Sequence, residues 1–238
     1  MKLVSTFIDY YDHFFDREGP VFVRAGGSTG PSRREQHLLL ERAGFLVPPR
    51  GYVGEVMGSP WEAEGISRIQ VVVAYTDEMA HCTEGKRVFT EGHLRSNPHM
   101  GAPGGDRYWK EHQLYCTAFV GGMSAWAQSY RGVCSLRRLQ VGPHAFWIEY
   151  RSTEGWMSNH GDGSATVVGV EKDSGYHPAI RYPLFAIDFV LGREMWAVDF
   201  NTSPGIRGSG VEKHLSAPQA VEAIKAAKAA DVWEGQAK

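Results

Sequence analysis

The sequence of 238 residues predicts an α/β (α+β) fold, and three features of the chain support this class. Residues 20–49 read as strand, glycine turn, helix and second strand, a βαβ-like unit typical of an α/β layer. Residues 124–201 contain short β-rich segments separated by turn residues, which predicts an antiparallel sheet. Residues 216–233 predict the clearest helix, because Ser216 suits the cap position and Gln219 completes a capping box.

The first helix is predicted from signals at both of its ends. Ser32 suits the N-cap, residues 38–40 are three consecutive leucines, and Gly44 would stop the helix. Residues 21–23 are β-rich and predict the strand that precedes it. The N-terminal unit is therefore expected to place one helix against the sheet.

Eight further segments are predicted as strands from their β-rich or alternating composition. They are residues 69–76, 86–94, 124–130, 134–141, 145–152, 165–170, 185–191 and 195–201. Residues 95–107 are rich in Pro and Gly and predict a loop. Only a short turn separates the last two segments, so this pair predicts a β-hairpin.

The composition indicates a globular chain that can bury a sizeable core, since 42% of the residues are hydrophobic. A formal charge of -2 predicts no general attraction to nucleic acid or to an anionic membrane. No apolar run approaches the roughly 20 residues of a membrane-spanning helix. Asp9 and Asp12 interrupt the N-terminal apolar stretch, against a signal peptide. The cysteines fit reduced thiols: Cys82, Cys116 and Cys134. A cytoplasmic protein without nucleic-acid or membrane partners is expected.

The predicted hairpin brings oxygen-bearing side chains to one place. Asp188 lies on its first strand, and Asp199 and Asn201 lie two residues apart on its second strand, where alternate side chains share a face. Two carboxylates and an amide oxygen are hard donors suited to Mg²⁺ or Mn²⁺. The alternative is that both acids are solvated residues at strand ends. The flanking sequence favours the metal site.

These flanks resemble the ATP-grasp superfamily and, within it, the RimK-type peptide and amino-acid ligases. Those enzymes end their metal site with a strand reading acid-x-Asn-x-x-Pro-Gly, which residues 199–205 match, with Asp188 eleven positions before Asp199. The family usually has Glu where Asp199 stands. Residues 20–48 are similar to the end of the family's small N-terminal domain. Its upstream motif is matched by Arg137, Gly142, Arg151, Gly155, Trp156, Ser158, Asn159, Gly161, Asp162 and Gly163.

The resemblance implies an ATP-grasp-like fold in three parts. Residues 1–50 would form a reduced N-terminal α/β unit, residues 51–127 a compressed nucleotide-binding subdomain, and residues 128–238 a catalytic subdomain whose antiparallel sheet carries the metal site. It implies ATP and Mg²⁺ (or Mn²⁺) as cofactors. The implied activity is an ATP-dependent carboxylate-amine ligase that forms an amide or peptide bond through an acyl phosphate. Small-molecule or peptide carboxylates and amines would be its partners, and a homo-oligomer is compatible with the sequence.

The resemblance also implies roles for single residues. Asp188, Asp199 and Asn201 would hold one or two Mg²⁺ ions that bridge the phosphates. Arg151 would clamp the phosphoryl group and Asn159 would reinforce the metal or phosphate shell. Such roles suit phosphoryl transfer, where charge on the transferring oxygens calls for fixed cations and donors.

Further residues match positions that contact nucleotide or substrate in the family. Gln128 and Tyr130 stand where the family's interdomain hinge contacts adenine. Arg137 is a candidate nucleotide contact, with a solvated strand face as the equal alternative because Arg138 makes the segment basic. Three residues resemble positions that meet the acceptor substrate: Ser203, Arg207 and Ser209.

One family feature is missing. ATP-grasp enzymes supply a Lys from a Val-Val-Lys-Pro-like strand, followed by a small-residue loop over the triphosphate, and residues 50–127 contain no such string. The candidate substitutes are Lys86, Lys110 and the glycine loop at residues 101–105, whose amides could face phosphates. The alternative for each lysine, which surface composition favours, is an exposed residue without a role at the phosphates. Of the two lysines, Lys86 is the favoured substitute because it leads directly into a predicted strand.

Two alternative functions stay open at this point. The missing lysine strand favours a non-catalytic nucleotide-binding or interaction protein derived from the ATP-grasp fold, and a phosphotransferase that stops at phosphoryl transfer is also considered. A zinc site is a weaker alternative, because no C-x2-C pair supports the available soft ligands. Those ligands are His81, Cys82, His93, His99, His112 and Cys116.

Overall fold

The computed structural model describes residues 31–78, 85–92, 112–158, 163–180, 182–202, 204 and 208–229. Its helices are α1 (Arg33–Arg42), α2 (Val53–Val56), α3 (Gly122–Ser129) and α4 (Ala217–Ala229). Its strands are β1 (Arg50–Tyr52), β2 (Val71–Tyr75), β3 (Lys86–Thr90), β4 (Tyr115–Ala118), β5 (Val133–Val141), β6 (His144–Ser152), β7 (Ser164–Glu171), β8 (Leu184–Leu191) and β9 (Met195–Asn201). No helix in these ranges combines the length and apolar character needed to cross a membrane.

The strands form two antiparallel sheets. The first sheet has the order β1-β4-β2-β3, and the second has the order β7-β6-β5-β8-β9. In the second sheet β5, β6 and β7 follow one another as hairpins, and β8 returns to pair with β5 on its other side. The mixture of helices and antiparallel sheet expected from the sequence is confirmed.

Helix α1 begins and ends where its sequence signals predict. The Ser32 hydroxyl accepts a hydrogen bond from the Glu35 amide, and the Glu35 carboxylate accepts one of 2.7 Å from the Ser32 amide, which forms a capping box. Beyond the helix, Gly44 has a φ of +87°, a conformation that favours glycine. Capping therefore fixes the position of the first helical residues, which include Arg33.

One predicted strand is wrong, and one observed strand, β4, was not predicted. Residues 124–130 lie mainly in α3. The ring centroids of Trp126 and of Tyr130, four residues further on, lie 5.4 Å apart, as side chains at i and i+4 on a helix do. Strand β4 escaped prediction because all four of its residues are buried, so it shows no alternation. Strand β1 is only three residues long.

The predicted N-terminal unit and domain division are only partly described by the structure. The strand expected at residues 21–23 lies outside the described ranges. The strand expected within residues 45–49 starts instead at Arg50. The proposed boundary between residues 127 and 128 falls inside α3, and the three-part division stays a prediction.

The second sheet is covered on both faces. One face packs against α4 through Leu139, Val141, Phe146, Ile148, Leu184, Ala186, Ala220, Val221 and Ile224. The opposite face packs against α1 through Leu40, Phe185, Ile187, Phe189, Ala197 and Phe200. Strands β8 and β9 are almost continuously apolar, so a polar residue buried on either of them needs a partner.

The end of the β8–β9 hairpin is anchored to the first layer. Trp196 packs in one cluster with residues of the first sheet, including Val72 and Ala74. Its indole nitrogen donates a 2.5 Å hydrogen bond to the buried carboxylate of Glu64, which also accepts from the Arg193 amide at 2.9 Å. The hairpin is thereby held between the two sheets.

The position of Asp188 between the sheets follows from the alternation along β8. Leu184 and Ala186 pack under α4, and Val190 packs against the cluster of the first sheet. Asp188 shares their face and lies between these two packed regions. The carboxylate of Asp188 therefore lies between the two apolar regions.

Candidate active site

The two acids of the hairpin lie directly opposite each other. Asp188 of β8 and Asp199 of β9 are register partners, and Asn201 is the partner of Ala186 on the same face. A register shift between Asp188 and Phe189 adds a residue on β9 next to Asp199. Both acids are largely buried, so their charges need compensation within the protein.

Arg137 compensates Asp188. It stands opposite Asp188 on the neighbouring strand β5, and its Nε and one terminal nitrogen donate to the two carboxylate oxygens at 2.6 and 2.8 Å. The guanidinium lies 5.0 Å from the centre of the Tyr150 ring. Burial alone would lower the pKa of Arg137, but the charge of Asp188 outweighs this and raises it. Arg137 is thus a buried partner of the acid, and the solvated alternative is wrong.

Asp199 is held by cations from two other elements. Lys86, the first residue of β3, places its Nζ 2.6 Å from Oδ2, and Arg33 of α1 donates to Oδ1. The Phe200 amide also donates to Oδ1 at 3.0 Å. Burial alone would raise the pKa of Asp199, but the charges of Lys86 and then Arg33 outweigh it and hold that pKa well below its ordinary value. The first sheet, α1 and the second sheet therefore meet at this carboxylate.

His37 supports the same strand from α1. Its Nε2 lies 3.3 Å from the carbonyl oxygen of Val198, and its Nδ1 lies 2.9 Å from the hydroxyl of Tyr115. A carbonyl only accepts, so Nε2 carries the proton and donates to Val198, while Nδ1 accepts from Tyr115. His37 is one helical turn from Arg33, and the two contact consecutive residues of β9. Helix α1 thus fixes both the backbone and the carboxylate at the acid site.

The free energy of unfolding should decrease as the pH is lowered, because of His37. Burial lowers its pKa to about 4 from 6.5, so the unfolded chain takes up a proton between these values while the folded chain does not. Its contribution is complete above pH 6.5 and is lost as the pH falls to 4, at about 1.4 kcal/mol per pH unit and about 3 kcal/mol in all. Urea unfolding of His37→Gln should lack this decline. The exposed His214→Gln variant should keep the decline of the parent, and an unchanged slope in His37→Gln would contradict the assignment.

The oxygen donors of the hairpin would suit Mg²⁺ in company with an anion. Asp188, Asp199 and the half-buried Asn201 carry oxygen atoms on one face of the hairpin. Within the described ranges, the carboxylates are paired with three cationic side chains, and no three Asp, Glu, His or Cys side chains meet at one point. A bare divalent cation would be repelled by these three cationic side chains, whereas a Mg²⁺-polyphosphate complex brings negative charge with it.

Arg151 does not reach the acid site. Its register partner on β5 is Cys134, whereas Arg137 pairs with Ile148, so Arg151 points from the opposite face of the sheet. Its side chain is 63% exposed and pairs with Glu149 at 2.6 Å. In this structure Arg151 therefore does not lie beside the acid cluster, and its expected role at the phosphoryl group stays a prediction. The nucleotide contact expected of Arg137 stays a prediction as well.

The other predicted contacts are dispersed or fall outside the described residues. Gln128 is exposed on α3 and Tyr130 follows it with 69% exposure. Ser209 is buried, and its hydroxyl accepts from the Val211 amide at 3.3 Å. Their predicted roles stay predictions. Four predicted site residues and one loop lie outside the described residues: Lys110, Asn159, Ser203, Arg207 and 101–105.

The zinc alternative gains no support from its two described residues. Cys116 lies in the apolar cluster of the first sheet, and burial, with a smaller effect of Glu55, raises its pKa to about 12. Such a thiol stays protonated and is a poor metal ligand. Cys116 therefore serves as a small apolar core residue.

Sequence reasoning missed Arg33 and His37. Both lie on the buried face of α1 together with Leu40, at positions i, i+4 and i+7. That spacing marks one helix face, and two ionisable residues on an apolar face are the signal that would have revealed them. Their partners on β9 are more than 160 positions away in the chain.

The comparisons with known proteins concern the fold. No protein-family model matches the sequence, and no curated protein matches it. D-alanine--D-alanine ligase from Bacillus anthracis superposes with a TM-score of 0.50 at 8% identity, over 84% of this chain and 68% of that one. The ATP-grasp ligase PsnB, complexed with minimal precursor, gives 0.49 at 10% identity, over 83% of this chain. Macrocyclase MdnC from Microcystis aeruginosa MRC, bound with precursor peptide MdnA, gives 0.45 at 12% identity, over 96% of this chain and 69% of that one.

The chain has an ATP-grasp-like fold, as the resemblance in its sequence implied. It spans 60% of the length of PsnB.

Proposed function

We propose that the chain is an ATP-dependent carboxylate-amine ligase that forms an amide or peptide bond through an acyl phosphate. One observation carries this proposal: Lys86 from the first sheet meets Asp199 from the second at 2.6 Å, beside the pair of Asp188 and Arg137. Phosphoryl transfer needs cations and metal-binding oxygens fixed around one point, and this cluster would supply both kinds of group. The named structural relative with a TM-score of 0.50 is itself a ligase.

Each residue of this cluster would have its own role. A Mg²⁺-ATP complex, when bound, supplies the phosphoryl group, and Asp188, Asp199 and Asn201 would hold its metal. Lys86 would donate to phosphate oxygens from the side of the first sheet. In this role it would substitute for the family's lysine, whose strand is missing from the sequence pattern. Arg137 fixes the direction of Asp188 through both of its oxygens. Burial of the site limits water and so protects an acyl phosphate from hydrolysis.

A non-catalytic nucleotide-binding protein is the second candidate. The observation in its favour is that both acids are already neutralised by side chains of the protein itself. In that case the cluster stabilises the contact between the two sheets, and bound nucleotide is not turned over. A turnover measurement separates the two candidates.

ADP release measures the proposed activity directly. With a panel of amino acids and short peptides as carboxylate and amine, we expect Mg²⁺-dependent ADP formation with at least one pair of substrates. Lys86→Met should lower kcat by about 10²-fold, because a fixed cation near the transferred phosphoryl group is lost. Lys110→Met tests the other candidate lysine in the same assay.

Lys225→Met is the matched control, because Lys225 is exposed on α4 and pairs only locally with Glu222. It should keep the activity of the parent. ADP release that depends on no carboxylate or amine would point to an ATPase or phosphotransferase instead. Absence of ADP release with every substrate pair, combined with saturable ATP binding, would favour the non-catalytic candidate.

A further inference from the structure

The charge balance around Asp199 is unusual for a site that should accept a divalent cation. In the described part of the chain, Arg33, Lys86 and Arg137 contact two carboxylates, those of Asp199 and Asp188. These three cationic groups surround the two carboxylates in a largely buried cluster. Buried charges interact strongly because solvent screens them little. A bare cation that approaches either carboxylate is therefore repelled by the cationic groups already paired with it, and an anion is attracted by them.

The position of Arg33 is favourable for its pair with Asp199 but unfavourable within its own helix. It is the first residue of α1, where the helix dipole disfavours a positive charge. It is nevertheless only 1% exposed, and its guanidinium also donates to Gln36 at 3.0 Å. The acid on β9 explains why a cation is retained there. The capping box of Ser32 and Glu35 holds the start of the helix and with it the backbone of Arg33.

Lys86 contacts the same carboxylate from a different element. Its Nζ contacts Oδ2 of Asp199, while Arg33 contacts Oδ1, so each carboxylate oxygen has its own cationic partner. Both cations come from outside the second sheet, one from α1 and one from β3. A metal ion that binds Asp199 must compete with both of them for the same oxygens.

We propose that Arg33 and Lys86 form an internal counterion lock on Asp199, which opens to a divalent cation only when a polyphosphate takes over the two cationic side chains. This inference rests on the proposed function, since it assigns Asp199 to the metal. It sets a binding order: the free protein takes the polyphosphate part of the nucleotide in preference to free metal. The lock thereby couples the metal site to the presence of its substrate.

The lock is tested by binding, without turnover. Mn²⁺ binding to the metal-free protein, followed by electron paramagnetic resonance of free Mn²⁺, should be weak in the parent. Arg33→Met and, separately, Lys86→Met should each raise Mn²⁺ affinity by about 10-fold or more, because one competing charge is removed. Inorganic tripolyphosphate, titrated by calorimetry without metal, should show the opposite order and bind the parent more tightly than either variant.

Controls assign the effect to Asp199. Arg34→Met removes the next arginine of α1, which is partly exposed and pairs with Glu78, and should leave both affinities unchanged. Adding Asp199→Asn to Arg33→Met should abolish the gain in Mn²⁺ affinity. Circular dichroism checks that each variant is folded, and the two single variants serve as independent tests if one does not fold.

The outcomes separate this inference from the proposed function. Equal Mn²⁺ affinity in the parent and in both folded variants would overturn the lock, even if the parent releases ADP as a ligase. Tripolyphosphate binding that is unchanged in both variants would overturn it as well. Suppose that both variants gain Mn²⁺ affinity and lose tripolyphosphate affinity as expected while the parent releases no ADP. That result would support the lock and leave the non-catalytic candidate as the function.

Discussion

Replacing Asp199 by asparagine should lower the free energy of unfolding by about 3 to 5 kcal/mol. The substitution leaves Arg33, which is 1% exposed, and the largely buried Lys86 without the charge that compensates them. The asparagine keeps the shape of the side chain, so the loss of stability reports the removal of the charge and not a change in packing. Urea or guanidinium unfolding of the two proteins at neutral pH gives this difference.

Two further variants test the explanation. Glu222→Gln breaks an exposed pair with Lys225 on α4 and should change stability by no more than about 0.5 kcal/mol. Combining Asp199→Asn with Lys86→Met should cost less than the sum of the two single changes, because one uncompensated cation is then absent. An Asp199→Asn protein with the denaturation midpoint of the parent would mean that the cations reach water and that the cluster contributes no net stability.

Arg137→Lys should lower kcat/KM of the proposed ligase by about 10- to 100-fold, whereas Arg151→Lys should leave it within about twofold. Arg137 holds both oxygens of Asp188 with a planar fork, and a lysine offers a single point charge that lets the carboxylate turn. Arg151 lies on the opposite face of the sheet and contacts Glu149 near solvent. The two arginines therefore form a matched pair within the same sheet.

The kinetic constants show how Arg137 acts. As a positioning residue for Asp188, it should affect Mg²⁺ dependence as well as kcat, so higher Mg²⁺ should restore part of the activity of Arg137→Lys. A loss in Arg151→Lys equal to that in Arg137→Lys would restore the role that the sequence pattern suggested for Arg151. In that case the face of the sheet that carries Arg151 would have to approach the substrate in another conformation.

Local signals in the sequence predicted most of the secondary structure. The capping box at Ser32 and the β-rich segments of the second sheet determine their elements through short-range interactions. The hairpin of β8 and β9 is one of these local features, so the sequence also placed Asp188 near Asp199. Residues 124–130 were misassigned because Trp and Tyr favour strands on average, whereas here they pack along one face of α3.

The partners of the two acids were decided by tertiary structure. The sequence by itself determined the class of the fold, the hairpin and the presence of oxygen-bearing side chains at Asp188, Asp199 and Asn201 on one face of it, since each follows from nearby residues and strand alternation. Only the packing of α1 and of the first sheet onto the second brought Arg33 and Lys86 to Asp199, across 166 and 113 positions of the chain. Burial then decides the chemistry, because charges removed from water must find compensation from whichever side chains the fold places beside them.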